Sequence, residues 1–221
     1  FYSEQECLSD RKSHLAAVKT MFETLDVFIF TLGLTECWFS LEDGAVFPIC
    51  PGSGLGGEFD ALRHGYKNLR VDDVVKNLEN FVNSLAEVNS SAQIILTVSP
   101  VPLAATIEPR HVLQSTTYSK AVLRVACEEI IRRFDHVHYF ASYEIVTATG
   151  DSMSYFESDR RSVTSVAVDH VLDCFKKQYM LPVTSEDHIV PLTQKSEVTD
   201  YGAPLCDEEE LLIALSDAST R

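Results

Sequence analysis

The stretch Val27-Phe28-Ile29-Phe30-Thr31-Leu32-Gly33-Leu34-Thr35-Glu36-Cys37-Trp38 decides the fold. Its first four residues form a continuous apolar run, which suits a strand buried on both faces of a parallel sheet. Gly33 then lets the backbone turn and approach whatever lies above the strand. Thr35, Glu36 and Trp38 follow at once, so polar and aromatic groups gather where the strand ends. Ligands in open α/β sheets bind outside the carboxyl ends of strands.

Outward from this stretch, the same grammar repeats. Residues 10 to 25 read as a helix, with Leu15, Val18, Met21, Phe22 and Leu25 at three- and four-residue steps. Glu42-Asp43-Gly44 marks a hairpin between Cys37–Phe39 and Ala45–Ile49. A long irregular connection is expected from Cys50 to about Arg70. Val71 to Val88 is the clearest helix, with one apolar stripe and Asp72 and Asp73 at its positive end. Ile94 to Val98 reads as a second buried strand, ended by Ser99-Pro100-Val101-Pro102. A second long loop leads to a helix capped by Thr117. Val137 to Phe140 is a third strand, and Thr164 caps a last helix. Helices alternating with strands predict an α/β three-layer sandwich around a parallel sheet. Three strands make a small sheet of this kind, so a further strand upstream of Phe1 is expected.

Composition sets limits. The 221 residues are 45% hydrophobic, enough for one sizeable core. No apolar run approaches the ~18 residues of a membrane span. The net charge of −15 argues against a nucleic-acid partner. The six cysteines form no Cys-x-x-Cys pair and none stands at zinc-ligand spacing with histidine, so no metal or other cofactor is expected. Scattered thiols fit a reducing, cytoplasmic setting. Residues 1–180 read as the α/β domain. Residues 181–221 read as an acidic, partly disordered tail that could meet a protein partner, with nine acidic and two basic residues from Ser185 onward.

Two motifs read as decoys. Gly52-Ser53-Gly54-Leu55-Gly56-Gly57 has dinucleotide-fingerprint spacing, but Pro51 precedes it and no helix follows. Gly150-Asp151-Ser152 looks like a GDS nucleophile block, yet it lies at the wrong end of the α/β region. Asp159-Arg160-Arg161-Ser162 holds the place of an Asp-x-x-His acid–base block, with Ser162 where histidine would stand. His111 is then the first candidate base and His170 the second. His64 and Asn68 share the first long loop and are expected near the same mouth.

Four pieces in order resemble the GSCFA family, a branch of the SGNH/GDSL-like hydrolases. They are Thr31-Leu32-Gly33-Leu34-Thr35-Glu36, Thr97-Val98-Ser99-Pro100-Val101, Tyr118-Ser119-Lys120-Ala121-Val122-Leu123 and Arg161-Ser162-Val163-Thr164. The resemblance implies a flavodoxin-like parallel sheet, and ester hydrolysis or O-acyl transfer on an acylated, carbohydrate-like substrate. It implies a nucleophilic serine in a Gly-Ser-Cys-Phe-Ala motif, which this chain lacks, so the nucleophile is expected upstream of Phe1. It sets Gly33-Leu34-Thr35-Glu36 where related hydrolases carry Gly-x-Asn-Asp, with Thr35 in place of the oxyanion-binding asparagine. The site expected at the sheet edge thus comprises Asp159, His111 and His170 for acid–base work. Gly33, Thr35, Glu36, Asn68, Ser99 and Ser162 would hold the substrate. A non-catalytic binding domain on the same fold is the rival reading.

Overall fold

A computed structural model describes residues 2–52, 57–148 and 155–180. The 53–56 part of the glycine loop, Gly150-Asp151-Ser152 and the acidic tail lie outside the described residues. The order of elements is α1 (Glu4–Thr24), β1 (Val27–Leu32), β2 (Glu36–Ser40), β3 (Val46–Phe47), β4 (His64–Asn68), α2 (Val71–Val88), β5 (Gln93–Val98), α3 (Val112–Ile131), β6 (Val137–Phe140), α4 (Ser142–Thr147) and α5 (Ser165–Tyr179).

The three apolar runs form one parallel sheet in the order β1-β5-β6. Phe30 lies beside Leu96, and Leu96 beside Tyr139. One face of this sheet is the main core: Phe28, Phe30, Leu32, Ile94, Leu96, Val98 and Val137 pack against α2 and α3. The apolar stripe of α2 puts Val74, Val75, Leu78, Val82 and Leu85 there. Its N-terminus is closed by Asp73, whose carboxylate accepts from the Arg70 N–H. The opposite face is covered at β6, where Phe140 meets Phe175 edge-on at 5.2 Å. Ser142 at the start of α4 bonds the Val98 carbonyl from that side. The result is an α/β sandwich of flavodoxin-like kind, with helices on both faces of a parallel sheet.

β1 departs from the expectation of burial on both faces. Val27 and Ile29 are about half exposed, whereas Phe28, Phe30 and Leu32 face the core. Among the described residues the strand lies at the edge of its sheet, and the helices of the second face meet β5 and β6. Its apolar run therefore marks one buried face plus an uncovered one.

Directly after β1 the chain turns into a second, antiparallel sheet in the order β3-β2-β4. The hairpin falls where Asp43-Gly44 predicts it, with Gly44 at φ +77° and Asp43 Oδ1 accepting from the Ala45 N–H. A bond from the Ser40 side chain, and after it the Ala45 N–H, hold the Asp43 carboxyl below its usual range. The connection from Cys50 to Arg70 is not irregular throughout. Its last part is β4, paired along its whole length with β2. Gly65 lies opposite Phe39, and a Cβ there would come within 2.5 Å of the Phe39 ring. The helices also differ at their starts. α1 begins at Glu4, capped by Ser3, and has no fully buried residue. α3 begins at Val112 with His111 as its cap. Thr117 is inside the helix, its hydroxyl bonded back to the Leu113 carbonyl. Thr164 does cap α5, accepting from the Ala167 N–H.

Candidate functional site

The carboxyl ends of β1 and β5 open into a cleft of about 860 Å³. Gly33, Leu34 and Glu36 supply one wall, and Ser99 with the loop from Val101 to Ile107 supplies the other. Trp38, Phe47 and Arg161 complete the rim. Ends of adjacent parallel strands face the same way, so these residues meet although they are distant in sequence. Gly33 takes no left-handed φ, and a Cβ there would meet nothing within 4 Å. The space above it is open cleft, so the expected close approach over Gly33 is not met, while the chain does turn here into β2.

Beneath the wall, Thr35 is fully buried. Its N–H donates to Ser119 Oγ at 2.7 Å, and its hydroxyl donates to Asn68 Oδ1 at 2.7 Å. Ser119 Oγ lies 3.0 Å from Thr35 Oγ1, so the Ser119 hydroxyl closes the set. Thr35 and Asn68 thus join the two sheets under the cleft, with Asn68 opposite Glu36 in the β2–β4 register. Replacing Ser119 with Ala leaves the Thr35 N–H unpaired in a dry interior. A loss of about 1–3 kcal/mol is expected, read as a lower urea midpoint at constant m.

Glu36 faces the second wall. Thr106 donates its hydroxyl to Glu36 Oε1 at 2.6 Å and lies 3.2 Å from Ser115 Oγ. Arg110 Nε donates to the same serine at 3.0 Å. Tyr66 OH donates to Glu108 Oε1 at 3.0 Å. Burial, with Glu108 and Glu36 beside it, pushes the Tyr66 phenol well above its ordinary range. Burial likewise raises the Cys37 thiol in the wall. The Leu103 N–H donates to Thr116 Oγ1 at 3.2 Å. The first turns of α3 therefore hold both walls: Ser119 the β1 end, Ser115 and Thr116 the loop after β5.

Lys120 belongs to the same helix surface and is 1% exposed. Its Nζ donates to the Gly33 carbonyl at 2.8 Å. Burial pushes its pKa down to about 8. Sequence reasoning did not single out Lys120, Ser115 or Thr106. The signal was the phase of α3: the buried positions Ile130, Cys127, Ala126, Leu123 and Val122 continue backwards onto Ser119 and Ser115.

The remaining expected residues lie apart from the cleft lining. Asp159 accepts from Ser162 Oγ at 2.6 Å and from the N–H groups of Arg161 and Ser162. The Ser162 hydroxyl first, then these two amides, hold its carboxyl down at about 2. The loop they brace brings Arg161 to the rim, where Nη2 donates to the Pro102 carbonyl at 3.4 Å. His111 is exposed, and its Nδ1 accepts from the Leu113 N–H at 3.2 Å. His170 is exposed on α5 and bonded to Tyr155 OH. His64 lies at a separate hollow on the antiparallel sheet, between Phe47 and Phe59. Ser152 lies outside the described residues. Among the described residues, no three His, Cys, Asp or Glu side chains converge on a point that could hold a metal ion. No described helix is long and apolar enough to cross a membrane.

With that geometry in place, the comparison with family models is decisive: the model of the GSCFA family matches residues 2–175. The chain belongs to the GSCFA family. The search of curated proteins found no match. The match runs from the start of α1 into α5, so every wall of the cleft falls within the GSCFA region.

Proposed function

We propose that the cleft is the acyl-handling site of an SGNH-type esterase or O-acyl transferase. Its substrate is an acylated small molecule or carbohydrate, and its nucleophile comes from a segment upstream of Phe1. The observation that carries the reading is the joint cleft at the ends of β1 and β5, with Gly33, Glu36 and Ser99 facing one space beside Trp38. An aromatic ring next to hydrogen-bonding groups suits a sugar face. The edge of β1, unpaired among the described residues, suits a further parallel strand, and a strand added there would end beside Gly33. In this reading residues 1–180 carry the site and residues 181–221 form an acidic extension. His111 is the first candidate base and has to leave its cap to act; His170 is the second.

The test compares residues 1–221 with a version extended upstream, using p-nitrophenyl acetate. Turnover is expected only from the extended chain, because covalent ester hydrolysis needs an activated nucleophile. In it, His111→Ala or His170→Ala should lower the rate by about 10²-fold or more if that residue is the base. Two fully active variants would remove the base assignment. Turnover by residues 1–221 that disappears in Ser152→Ala would make Ser152 the nucleophile.

A second reading, a non-catalytic binding domain, is favoured by one observation. Among the described residues, the Asp159 carboxylate is engaged by Ser162 and two backbone amides and bonds no histidine. It expects no turnover from either version, together with saturable binding of an O-acetylated oligosaccharide in calorimetry.

A further inference from the structure

Lys120 is the only charged residue that is buried among the described residues. None of the ion pairs among them includes it. A buried ammonium without a carboxylate is costly, and such a group tends to be kept where it performs a task. Its one hydrogen-bond partner among the described residues is the Gly33 carbonyl, and Gly33 lines the cleft.

The planarity of the peptide gives this bond a consequence. In a trans peptide the C=O of one residue and the N–H of the next point in opposite directions. Lys120 draws the Gly33 C=O into the interior, so the Leu34 N–H points the other way. Leu34 is exposed and lines the cleft. Its N–H donates to no group among the described residues. The next amide, Thr35 N–H, is turned inward and taken by Ser119. One outward donor is thus bracketed by two inward anchors, with open space over Gly33 beside it.

We propose that Lys120 is the positioning residue of this cleft, holding the Leu34 N–H outward as a donor to an anionic oxygen of the ligand. The proposal deepens the acyl-handling reading and rests on it: the anionic oxygen is the former carbonyl oxygen of the substrate once its carbon is attacked. A preorganised backbone donor aimed at that oxygen is a large term in acyl chemistry. The buried ammonium on the far side of the same peptide polarises it in the same sense. Thr35, whose hydroxyl hydrogen goes to Asn68, then supports the donor from below.

The test uses methylphosphonate, a tetrahedral anion, titrated at pH 7 into the ¹⁵N-labelled chain while backbone amide shifts are followed. The Leu34 amide should move saturably, and the Thr35 amide should stay in place. In Lys120→Met, which keeps the side-chain volume, the Leu34 response should weaken at least tenfold in apparent Kd while the remaining spectrum stays dispersed. A merely structural lysine would move both amides or neither. A silent Leu34 amide in the wild type overturns the proposal with no variant needed. So does an unchanged Leu34 titration in the variant. The ester assay on the upstream-extended chain separates the two readings. A dead assay beside an intact, Lys120-dependent Leu34 response removes the acyl reading and keeps the positioning role.

Discussion

Lys120→Met should make the protein more stable at pH 7, by about 2–3 kcal/mol, while weakening anion binding in the cleft. The lysine is 1% exposed and its pKa is pushed down to about 8 from 10.5. A shift of that size corresponds to roughly 3 kcal/mol of penalty on the charged form. Below pH 8 both folded and unfolded chains carry the proton, so the folded state bears the whole penalty. Between pH 8 and 10.5 the unfolded chain holds the proton and the folded chain does not. Wild-type stability therefore rises with pH through this window from the Lys120 contribution. Methionine removes the ionisation and fills the same space with apolar atoms, against the loss of one hydrogen bond to the Gly33 carbonyl. The advantage of the variant should be largest at pH 7 and shrink towards zero by about pH 10. Thermal melts of both proteins at pH 7 and pH 10 check this, with about 5–10 °C expected between them at the lower pH. Equal melting temperatures at pH 7 would mean that Lys120 carries no penalty in the folded chain. A gain in stability coupled to a loss of binding is the trade-off expected of a residue retained for function.

The parallel sheet was legible because its strands are runs of β-branched and apolar residues bounded by turn-formers, as in Ile94-Ile95-Leu96-Thr97-Val98 before Ser99-Pro100. Strand β4 was not legible. His64-Gly65-Tyr66-Lys67-Asn68 has no apolar alternation, and only pairing with β2 makes it a strand. The start of α3 was misplaced because Thr117 is a good cap by residue type, whereas the segment from Val112 had no apolar periodicity to extend it. A histidine accepts an amide proton as well as a hydroxyl does once its ring is neutral. That is how His111 came to hold a backbone group rather than stand free in the mouth. The cleft itself was half legible. Gly33, Glu36 and Ser99 followed from the rule that ligands meet strand ends, and all three line it. Lys120 was visible only as one letter of a family motif. Its burial depends on how α3 is rotated against the sheet, and Ser119 and Ser115 in the inward phase were the available sign.

The largest loss of stability is expected at the centre of the parallel sheet. Leu96 is fully buried, paired with Phe30 on one side and Tyr139 on the other. Leu96→Ala removes its methyl groups from a region walled by α2 and α3, where neighbours can close only part of the space. A cost of about 3–5 kcal/mol follows from lost transfer energy plus the residual cavity. Val27 provides the contrast. It lies on the other face of β1 and is about half exposed. Val27→Ala in the same chain should cost less than ~1 kcal/mol, because little apolar surface is lost from contact. Urea titrations of both variants, fitted with a common m, measure the ratio directly. A ratio near four or more supports a sheet buried on one face at its β1 edge. A Val27→Ala cost close to that of Leu96→Ala would mean that the outer face of β1 is buried too, because a strand's side chains stand out of the sheet plane and report the cover on its face.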